Sequence, residues 1–457
     1  MSDAEIAKKE EEKVAVEAKE ETATEAVEEV TQSLEELLAL GQGLDDEDYK
    51  AELEVLQNDV NSNLFSAVTF EELGLPESLL KGVYAMKFSK PSKIQSVALP
   101  MILANPPENL IGQAQSGSGK TATFALGMLY RVDSTKRHPQ ALCIGPTREL
   151  VRQIAAVVNA MGKFSTTELY LAIPGNDLAK GEQVTAQIVV GTPGKVEGLI
   201  KKKLLDTRDI KIFVLDEADV MVAEDGMRDR SVAIKKMIKN RACQFLLFSA
   251  TYADDVREFA MKMVPNHNII TVKKERLTLD GIKQFWIDCG TKDNKFKVLS
   301  DIFAILTIGK CVIFVQSRDT CKELTKRMRE NGHSVGILHG ADMAKEVRDQ
   351  VIDEFRAGTT NVLITTNVLA RGIDVAGVSL VVNFDIPVTR DHQPDPETYL
   401  HRIGRTGRFG RKGCAINFVH DQKSKENLAM IEAHYQRQIV QAPADDIEEL
   451  EKMLQWT

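Results

Sequence analysis

The sequence has few of the features that mark membrane, secreted or metal-binding proteins. No run of 18 or more apolar residues occurs among its 457 residues, so we expect no membrane span. Its first residues show no basic segment followed by an apolar core, so we expect no secretory signal. The six cysteines include no Cys-x-x-Cys pair, and four of them lie in or beside apolar runs. This pattern favours buried, reduced thiols in the cytosol or nucleus over a metal site.

Negative charge is concentrated in one segment of the chain. The net charge is −9, but residues 1–50 alone carry 17 acidic and 5 basic side chains, which leaves +3 for the remaining 407 residues. Residues 1–32 also lack aromatics, so they cannot bury enough apolar surface to offset chain entropy. We therefore expect an acidic extension, largely disordered or with a short helix, ahead of a weakly basic body. Such a body binds nucleic acid where its charge is clustered.

The rest of the chain alternates between short apolar runs and helical stretches. This alternation restarts after residue 284, and "ALCIGPTRELVRQI" is echoed 170 residues later by "CVIFVQSRDTCKEL". Alternating strands and helices predict a mostly parallel sheet covered on both faces. The fold class we predict is α/β, with two similar domains in tandem. The predicted divisions are an extension (1–62), a first domain (63–272), a linker (273–283) and a second domain (284–457).

The segment "AQSGSGKT" has the composition of a phosphate-binding loop. It follows a predicted strand and precedes a predicted helix, so backbone N–H groups and the helix N-terminus face the phosphates together. Lys120 supplies a point charge, and Thr121 supplies a hydroxyl for Mg²⁺. Alanine stands where the strict pattern has its first glycine. The predicted ATP-binding residues of the loop are Ala114, Gln115, Ser116, Gly117, Ser118, Gly119, Lys120 and Thr121.

A second cluster, "VLDEAD", ends an apolar strand in two carboxylates. The carboxyl ends of strands are where α/β sheets place their ligands. We expect Asp216 to hold Mg²⁺ directly or through water, and Glu217 to polarise the attacking water. Upstream, Phe88 offers a face for stacking on adenine and Gln95 an amide that reads its edge. By itself, Phe88 is more often a core residue.

The chain carries eight motifs in order: "FSKPSKIQ", "AQSGSGKT", "PTREL", "TPGK", "DEAD", "SAT", "ARGID" and "HRIGRTGR". Through these motifs, residues 68–440 resemble the DEAD-box ATP-dependent RNA helicases. The resemblance implies two RecA-like domains and an RNA-dependent ATPase that uses ATP and Mg²⁺. It also implies that the two domains close together on ATP and single-stranded RNA.

The resemblance assigns roles to further residues. Phe88 and Gln95 select adenine, and Asp374 contacts the nucleotide ribose. The residues that couple hydrolysis to strand separation are Asp219, Ser249, Thr251 and His401. The residues that bind RNA are Thr147, Arg148, Thr192, Pro193, Gly194, Arg318 and Thr365. Two positions depart from the family pattern in the segments that bind RNA. Pro174-Gly175 replaces a common glycine pair. Lys195 replaces a common arginine, and lysine lacks the bidentate hydrogen-bond geometry of arginine.

The motif "HRIGRTGR" lies in the second half, and its Arg405 is 285 residues beyond Lys120. By resemblance, Arg405 and Arg408 are arginine fingers that reach the γ-phosphate only when the domains close. In related phosphoryl-transfer systems an arginine finger is worth about 10³–10⁵ in rate. We therefore expect an open chain to hydrolyse ATP poorly. Arg411 and Lys412 are interpreted as a solvated basic patch.

Several segments resemble one branch of the family, the nuclear mRNA-export helicases. The proline-rich insertion "TRDHQPDPETY" is the most specific of them. This branch removes proteins from mRNA at the cytoplasmic face of the nuclear pore. The resemblance implies a protein of cytoplasm and nucleus, docked by a nucleoporin and stimulated by an export activator that uses inositol hexakisphosphate. We expect a monomer, since both halves of the composite site are on one chain. A short helix before the first domain restrains closure in relatives; residues 50–62 are the candidate here, with a plain linker as the alternative.

Two other functions stay open at this point. An ATP-gated RNA clamp would hold RNA as a platform for partners while hydrolysing ATP slowly, although the presence of Glu217, Arg405 and Arg408 favours turnover. A translation-initiation helicase of the same superfamily is disfavoured by the acidic extension and the insertion. A duplex-DNA translocase is the least favoured, because the adenine-reading stretch and "ARGID" are typical of the RNA family.

Overall fold

Each predicted domain contains one β-sheet. The computed structural model describes residues 53–56, 66–114, 118–223, 226–272, 282–305, 309–339, 343–367, 377–389, 391–407, 413–444, 449 and 452–453. Within these ranges, no helix is both long and apolar enough to cross a bilayer. The prediction of two tandem α/β domains with mostly parallel sheets is confirmed.

The first sheet has eight strands in the spatial order β1-β8-β2-β7-β6-β3-β5-β4. All neighbours are parallel except β1, which pairs antiparallel with β8. The strands are β1 Leu53–Leu56, β2 Asn109–Gln113, β3 Ala141–Ile144, β4 Leu169–Ala172, β5 Ile188–Gly191, β6 Ile212–Leu215, β7 Gln244–Ser249 and β8 His267–Val272.

Helices cover both faces of this sheet. A single 3₁₀ turn, Glu71–Leu73, precedes them. The helices are α1 Glu77–Ala85, α2 Lys93–Leu103, α3 Lys120–Arg131, α4 Arg148–Met161, α5 Pro193–Lys201, α6 Ala218–Ala223, α7 Met227–Met237 and α8 Asp254–Met263.

The second sheet has seven parallel strands in the order β11-β12-β10-β13-β14-β9-β15. Its strands are β9 Ile282–Asp288, β10 Lys310–Phe314, β11 Val335–Leu338, β12 Val362–Thr365, β13 Val378–Asn383, β14 Gly413–Val419 and β15 Val440–Ala442. Its helices are α9 Lys295–Ile305, α10 Arg318–Glu330, α11 Lys345–Ala357, α12 Pro396–Ile403 and α13 Gln422–Tyr435.

Strand β3 shows why continuous apolar runs form the centre of each sheet. Ala141 and Cys143 enter one apolar cluster, whereas Leu142 and Ile144 enter another. Side chains alternate between the faces of a strand, so a strand that is apolar at every position needs cover on both sides. All six cysteines are buried and free, which confirms their predicted burial.

The strand order places three predicted motifs side by side. Strands β2, β7 and β6 are neighbours. Their carboxyl ends lead into the phosphate loop, the "SAT" segment and the "DEAD" segment, respectively. Because parallel strands end at the same edge, residues far apart in sequence meet there. The fold therefore gathers the predicted ATP site at one edge of the first sheet.

One expectation for the acidic extension needs correction. We expected disorder or a short helix in residues 1–62, with 50–62 as the helical candidate. Within that range the structure describes Leu53–Leu56, and these residues form a strand that pairs with β8. The alternation of Leu53 and Val55 with acidic residues suits an edge strand, and the open edge of β8 supplies backbone partners. The other proposed helix, 33–40, and residues 273–281 of the linker lie outside the described residues.

The packing of α1 on α4 leads to a stability prediction. A methyl group at Gly82 would lie 1.9 Å from the carbonyl oxygen of Met161, whereas one at Gly198 would meet nothing within 4 Å. We expect Gly82→Ala to lower the free energy of unfolding by about 1–3 kcal/mol through overpacking. The control Gly198→Ala should raise it by about 0.5–1 kcal/mol, because alanine favours helix. Denaturant unfolding measures both, and equal effects would contradict the packing.

Candidate nucleotide and RNA site

The phosphate loop is anchored at both ends. It begins after β2 and ends at α3, whose first residue is Lys120. Lys120 is buried, and its Nζ donates to the carbonyl oxygen of Ala114 at 2.5 Å. Gly119 has a φ of 97°, which suits glycine, and a methyl group there would lie 2.7 Å from Nε2 of Gln95. Gln115, Ser116 and Gly117 lie outside the described residues.

Gln95 is held by protein contacts on both ends of its amide. Its Oε1 accepts from the backbone N–H of Ser92 at 2.8 Å, and its Nε2 donates to the carbonyl oxygen of Gly119 at 3.3 Å. The Ser92 hydroxyl also donates to the carbonyl oxygen of Ser118 at 2.9 Å. Gln95 is therefore a support for the loop. Phe88 is partly buried against the first-domain core. Adenine selection by these two residues stays a prediction.

The carboxylates of the "DEAD" segment follow β6; Asp216 and Asp219 are buried, and Glu217 is partly buried. Burial raises the pKa of Asp216 to about 6, and the charge of Lys120 opposes that shift. Burial also raises the pKa of Glu217, which the charge of His401 opposes. Glu217 has a φ of 51°, which is unusual for a non-glycine residue. Its Oε2 is buried and has no hydrogen-bond partner among the described residues. Thr121 is the second residue of α3.

The four predicted coupling residues form one buried cluster that spans both domains. Nε2 of His401 lies 2.8 Å from Oδ2 of Asp219. The hydroxyl of Thr251 donates to the same Oδ2 at 3.2 Å. The backbone N–H of Asp219 donates to the hydroxyl of Ser249 at 3.3 Å. The "DEAD" and "SAT" segments of the first domain are thereby linked to "HRIGRTGR" of the second.

Arg405 lies four residues after His401 and two residues beyond the end of α12. It is 6% exposed, and its Nε donates to the carbonyl oxygen of His401 at 3.0 Å. Its charge opposes the upward shift of the pKa of Glu217. A buried second-domain arginine thus acts electrostatically on a first-domain carboxylate. Arg408 and Asp374 lie outside the described residues.

A second set of cross-domain contacts joins α4 to α11. Arg148 and Arg152 each place Nη2 near Oδ2 of Asp349, at 3.3 and 3.1 Å. Arg348 donates through Nη2 to Oε1 of Glu149 at 3.1 Å. Sequence reasoning missed Glu149, Arg348 and Asp349. Their signal was the pair of opposed charge dipeptides Arg148-Glu149 and Arg348-Asp349, whose meeting depends on how the domains pack.

Three of the remaining predicted RNA-binding residues of the first domain, Thr192, Pro193 and Gly194, line an open groove, and Thr147 follows the lining residue Pro146. Thr147 caps α4 by accepting from the backbone N–H of Leu150 at 3.2 Å. Thr192 stands at the start of α5, which begins with Pro193. A groove of about 580 Å³ is lined by Pro146, Pro174, Gly175, Asp177, Thr192, Pro193, Gly194, Lys195, Met227 and Arg230. Lys195, one of the two departures from the family pattern, forms an ion pair there with Asp177.

Two predicted RNA-binding residues lie in the second domain. Arg318 is exposed at the start of α10, which Ser317 caps. Thr365 is fully buried at the end of β12, and its hydroxyl donates to the carbonyl oxygen of Thr366 at 2.9 Å. The Thr365 hydroxyl therefore serves a backbone contact in this structure. RNA binding at these two positions stays a prediction.

The α4–α11 contacts lead to a prediction about domain closure. Asp349→Asn removes the charge that pairs with Arg148 and Arg152, and ion pairs that keep some contact with solvent contribute about 0–1 kcal/mol each. We expect a lower closed fraction in the presence of a non-hydrolysable ATP analogue and RNA, measured by energy transfer between dyes on the two domains. The control is Asp353→Asn, one turn further along α11, whose ion pair with Arg356 stays within the helix. Equal closure in both variants would contradict the account.

Comparison with known proteins places the chain in a family. The description "DEAD/DEAH box helicase" matches residues 92–259, and "Helicase conserved C-terminal domain" matches residues 294–410. The ATP-dependent RNA helicase dbp5 of Schizosaccharomyces pombe is 52% identical over 405 residues, which is 89% of this chain and 80% of the relative. The extent of this identity confirms the resemblance stated from the motifs.

Solved structures agree in fold and in domain arrangement. S. cerevisiae Dbp5 bound to RNA and ADP BeF3 is 49% identical, covers 85% of this chain and 99% of its own, and superposes with a TM-score of 0.81. A Dbp5 variant bound to Nup159, a Gle1 variant, IP6 and ADP is 47% identical, covers 83% and 98%, and has a TM-score of 0.64. The present arrangement is thus more similar to the complex with RNA. The chain belongs to the DEAD-box ATP-dependent RNA helicases, enzymes that hydrolyse ATP in response to RNA, and within them to the Dbp5 branch.

Proposed function

We propose that this chain uses ATP-driven closure on single-stranded RNA to remove proteins from mRNA during nuclear export. The observation that carries the proposal is the buried contact between His401 and Asp219, which joins the two domains beside the ATP site. A site assembled from both domains exists only when they are closed. ATP and RNA that each favour closure must then favour each other's binding.

Within the first domain, we assign the nucleotide chemistry to residues at the sheet edge. Lys120 holds the phosphates by its charge. Glu217 orients the attacking water, since its Oε2 is buried and has no partner among the described residues. Asp216 and Thr121 fit Mg²⁺: oxygen ligands are its preferred donors, and a cation offsets the burial that raises the pKa of Asp216 to about 6. When bound, Mg²⁺ neutralises phosphate charge.

We assign to the second domain the positive charge that stabilises the transition state of hydrolysis. Arg405 lies buried near Glu217, and we assign it the stabilisation of negative charge that develops on the γ-phosphate. Arg408, three residues on, has the same proposed role from the motif alone. Asp374 is proposed to contact the ribose. Because these groups belong to the second domain, hydrolysis is slow until closure brings the domains together.

RNA binding is assigned to the groove and to the helix starts beside it. Thr147 and Thr192 present hydroxyls, and Arg148 presents a guanidinium. The Thr192–Gly194 segment includes the N-terminus of α5. Contacts of this kind hold phosphate groups and set register without reading sequence. Closure on a bent strand would expel a partner strand or a bound protein locally, and hydrolysis would release the RNA.

Partners and location follow from the relatives. The titles of the Dbp5 structures name RNA, Gle1, IP6 and Nup159. We propose that this chain likewise takes a nucleoporin and an export activator dependent on inositol hexakisphosphate. We propose that the protein is located in the cytoplasm and nucleus and is enriched at the cytoplasmic face of the nuclear pore. It would act as a monomer, with domain divisions at 62, 272 and 283, and with strand β1 of the extension added to the edge of the first-domain sheet.

The role of Glu217 leads to a prediction. Glu217→Gln preserves size but removes the negative charge that orients water. We expect ATP and RNA binding to be retained while RNA-stimulated turnover falls at least about 10²-fold. Binding is measured by fluorescence titration and turnover by phosphate release. Turnover within about threefold of the parent would contradict the assignment.

The proposed role of Arg405 leads to a second prediction about turnover. Arg405→Ala should lower kcat by about 10²-fold or more while ATP KM changes little, because the guanidinium acts mainly on the transition state. The control is the exposed Arg241→Ala in the first domain, which should behave like the parent. Equal losses in kcat and in ATP affinity would argue against an arginine finger.

A further inference from the structure

Helix α12 presents different side chains to the two domains. His401 lies 2.8 Å from Asp219 of the first domain, and Arg405, two residues beyond the end of the helix, acts through its charge on Glu217. Tyr399 and Arg402 lie three residues apart and are fully buried inside the second domain. Residues three or four apart share a helix face, so Tyr399 and Arg402 define the face turned to the second domain, and His401 lies on a different side of the helix. The position of His401, and of Arg405 beyond the helix, therefore depends on the contacts that hold Tyr399 and Arg402 in the second domain.

Arg402 is held by groups from two other segments. Its Nη1 donates to Oδ1 of Asn383 at 3.0 Å and to the carbonyl oxygen of Asp385 at 2.7 Å. Its Nε and Nη2 both donate to Oδ1 of Asn367, at 3.1 and 2.5 Å. The guanidinium lies over the ring of Phe314, 5.0 Å from its centroid. Burial lowers the pKa of Arg402 to about 10, so it is still charged at neutral pH.

From Arg402, a chain of side-chain hydrogen bonds crosses the second sheet. Nδ2 of Asn383 donates to Oδ1 of Asn417 at 2.8 Å, and these residues are register partners on β13 and β14. Nδ2 of Asn417 donates to the Tyr399 hydroxyl at 3.1 Å. The Tyr399 hydroxyl donates to Oε1 of Gln284 on β9 at 2.9 Å. All four of the linked residues are buried.

The direction of this chain is fixed by its first member. A guanidinium can only donate, so the amide oxygen of Asn383 must face Arg402 and its nitrogen must face Asn417. The same logic fixes the amide of Asn417, whose nitrogen also donates to the carbonyl oxygen of Phe285 at 2.9 Å. Burial raises the pKa of Tyr399 above its usual range, so its hydroxyl keeps the proton that it donates. Bonds aligned in one direction polarise and strengthen one another.

The hydrogen-bond chain connects three parts of the second domain that bear on the ATP site. Gln284 is the third residue of β9, the first strand after the segment between the domains. Tyr399 and Arg402 belong to the helix that carries His401, with Arg405 following it. Asn367 comes seven residues before Asp374 in sequence. Loss of one link would leave buried polar groups unpaired and let the helix shift relative to the sheet.

We propose that Tyr399, Asn417 and Asn383 are positioning residues that fix Arg405 for its action on the γ-phosphate. The proposal rests on the proposed role of Arg405. None of the three touches the nucleotide site; each acts through the helix. Their hydroxyl and amide groups would be needed for the turnover rate rather than for binding of ATP or RNA.

The first test compares two tyrosine-to-phenylalanine variants of the full chain. Tyr399→Phe removes only the hydroxyl that joins Asn417 to Gln284. We expect kcat with RNA to fall roughly tenfold, since misplacement of a catalytic group by about 1 Å can cost up to about 10² in rate. ATP KM and RNA affinity should stay within roughly twofold. The control is Tyr435→Phe, whose hydroxyl donates at 2.7 Å to the carbonyl oxygen of Pro396 at the start of the same helix but takes no part in the hydrogen-bond chain that begins at Arg402.

Thermal unfolding of both variants separates positioning from stability. If Tyr399→Phe and Tyr435→Phe lose similar thermal stability but only Tyr399→Phe loses kcat, the proposal holds. If kcat stays at the parent value in Tyr399→Phe, the proposal is wrong. If Tyr399→Phe does not fold, Gln284→Met breaks the same link from the other side and carries the same expectations.

The second test is a double-mutant cycle with Arg405→Ala. If Tyr399 acts through Arg405, Tyr399→Phe should have no further effect on kcat in the Arg405→Ala background. Additive losses would overturn the proposal while leaving Arg405 as a finger. An Arg405→Ala variant with parental kcat would instead overturn the proposed function itself, so the two failures are distinguishable.

Discussion

A single buried hydrogen bond between His401 and Asp219 is the constraint on which the rest of the active arrangement depends. It joins side chains 182 residues apart, and both are nearly inaccessible to solvent. A buried carboxylate without a partner is costly, so the closed arrangement supplies what Asp219 requires. Thr251 binds the same oxygen, which brings the "SAT" segment into the contact. The nucleotide site, the closed arrangement of the domains and the second-domain helix therefore depend on one another.

The second-domain helix carries this constraint into the chemistry. His401 on this helix and Arg405 just beyond it are buried in the closed arrangement, and their proposed roles need the first domain beside them. Its buried face ties the same helix to the sheet through Arg402 and Tyr399. Closure by α4 and α11 adds ion pairs that are weaker and more exposed. The strong contacts thus lie at the ATP site, and the adjustable ones lie towards the RNA groove.

The sequence was sufficient for residues whose role is tied to a local motif. The phosphate loop and the "DEAD" carboxylates could be named because spacing and strand ends locate them, and the cluster of Ser249, Thr251, Asp219 and His401 could be named through the family resemblance. It was insufficient where tertiary contact decides. Leu53–Leu56 is a strand because β8 has an open edge, and Asp349 matters because Arg148 lies across the cleft. Asn417 reads as an ordinary strand residue until its partner on β13 is known.

The most direct measurement is steady-state ATP hydrolysis by the full chain with no nucleic acid, with single-stranded RNA and with single-stranded DNA, at two salt concentrations. The account predicts strong stimulation by RNA alone, weakened by salt because phosphate contacts support the closed state. Equal rates under all conditions, with ATP and RNA both bound, would contradict a site completed by closure. Such a result would favour an ATP-gated clamp.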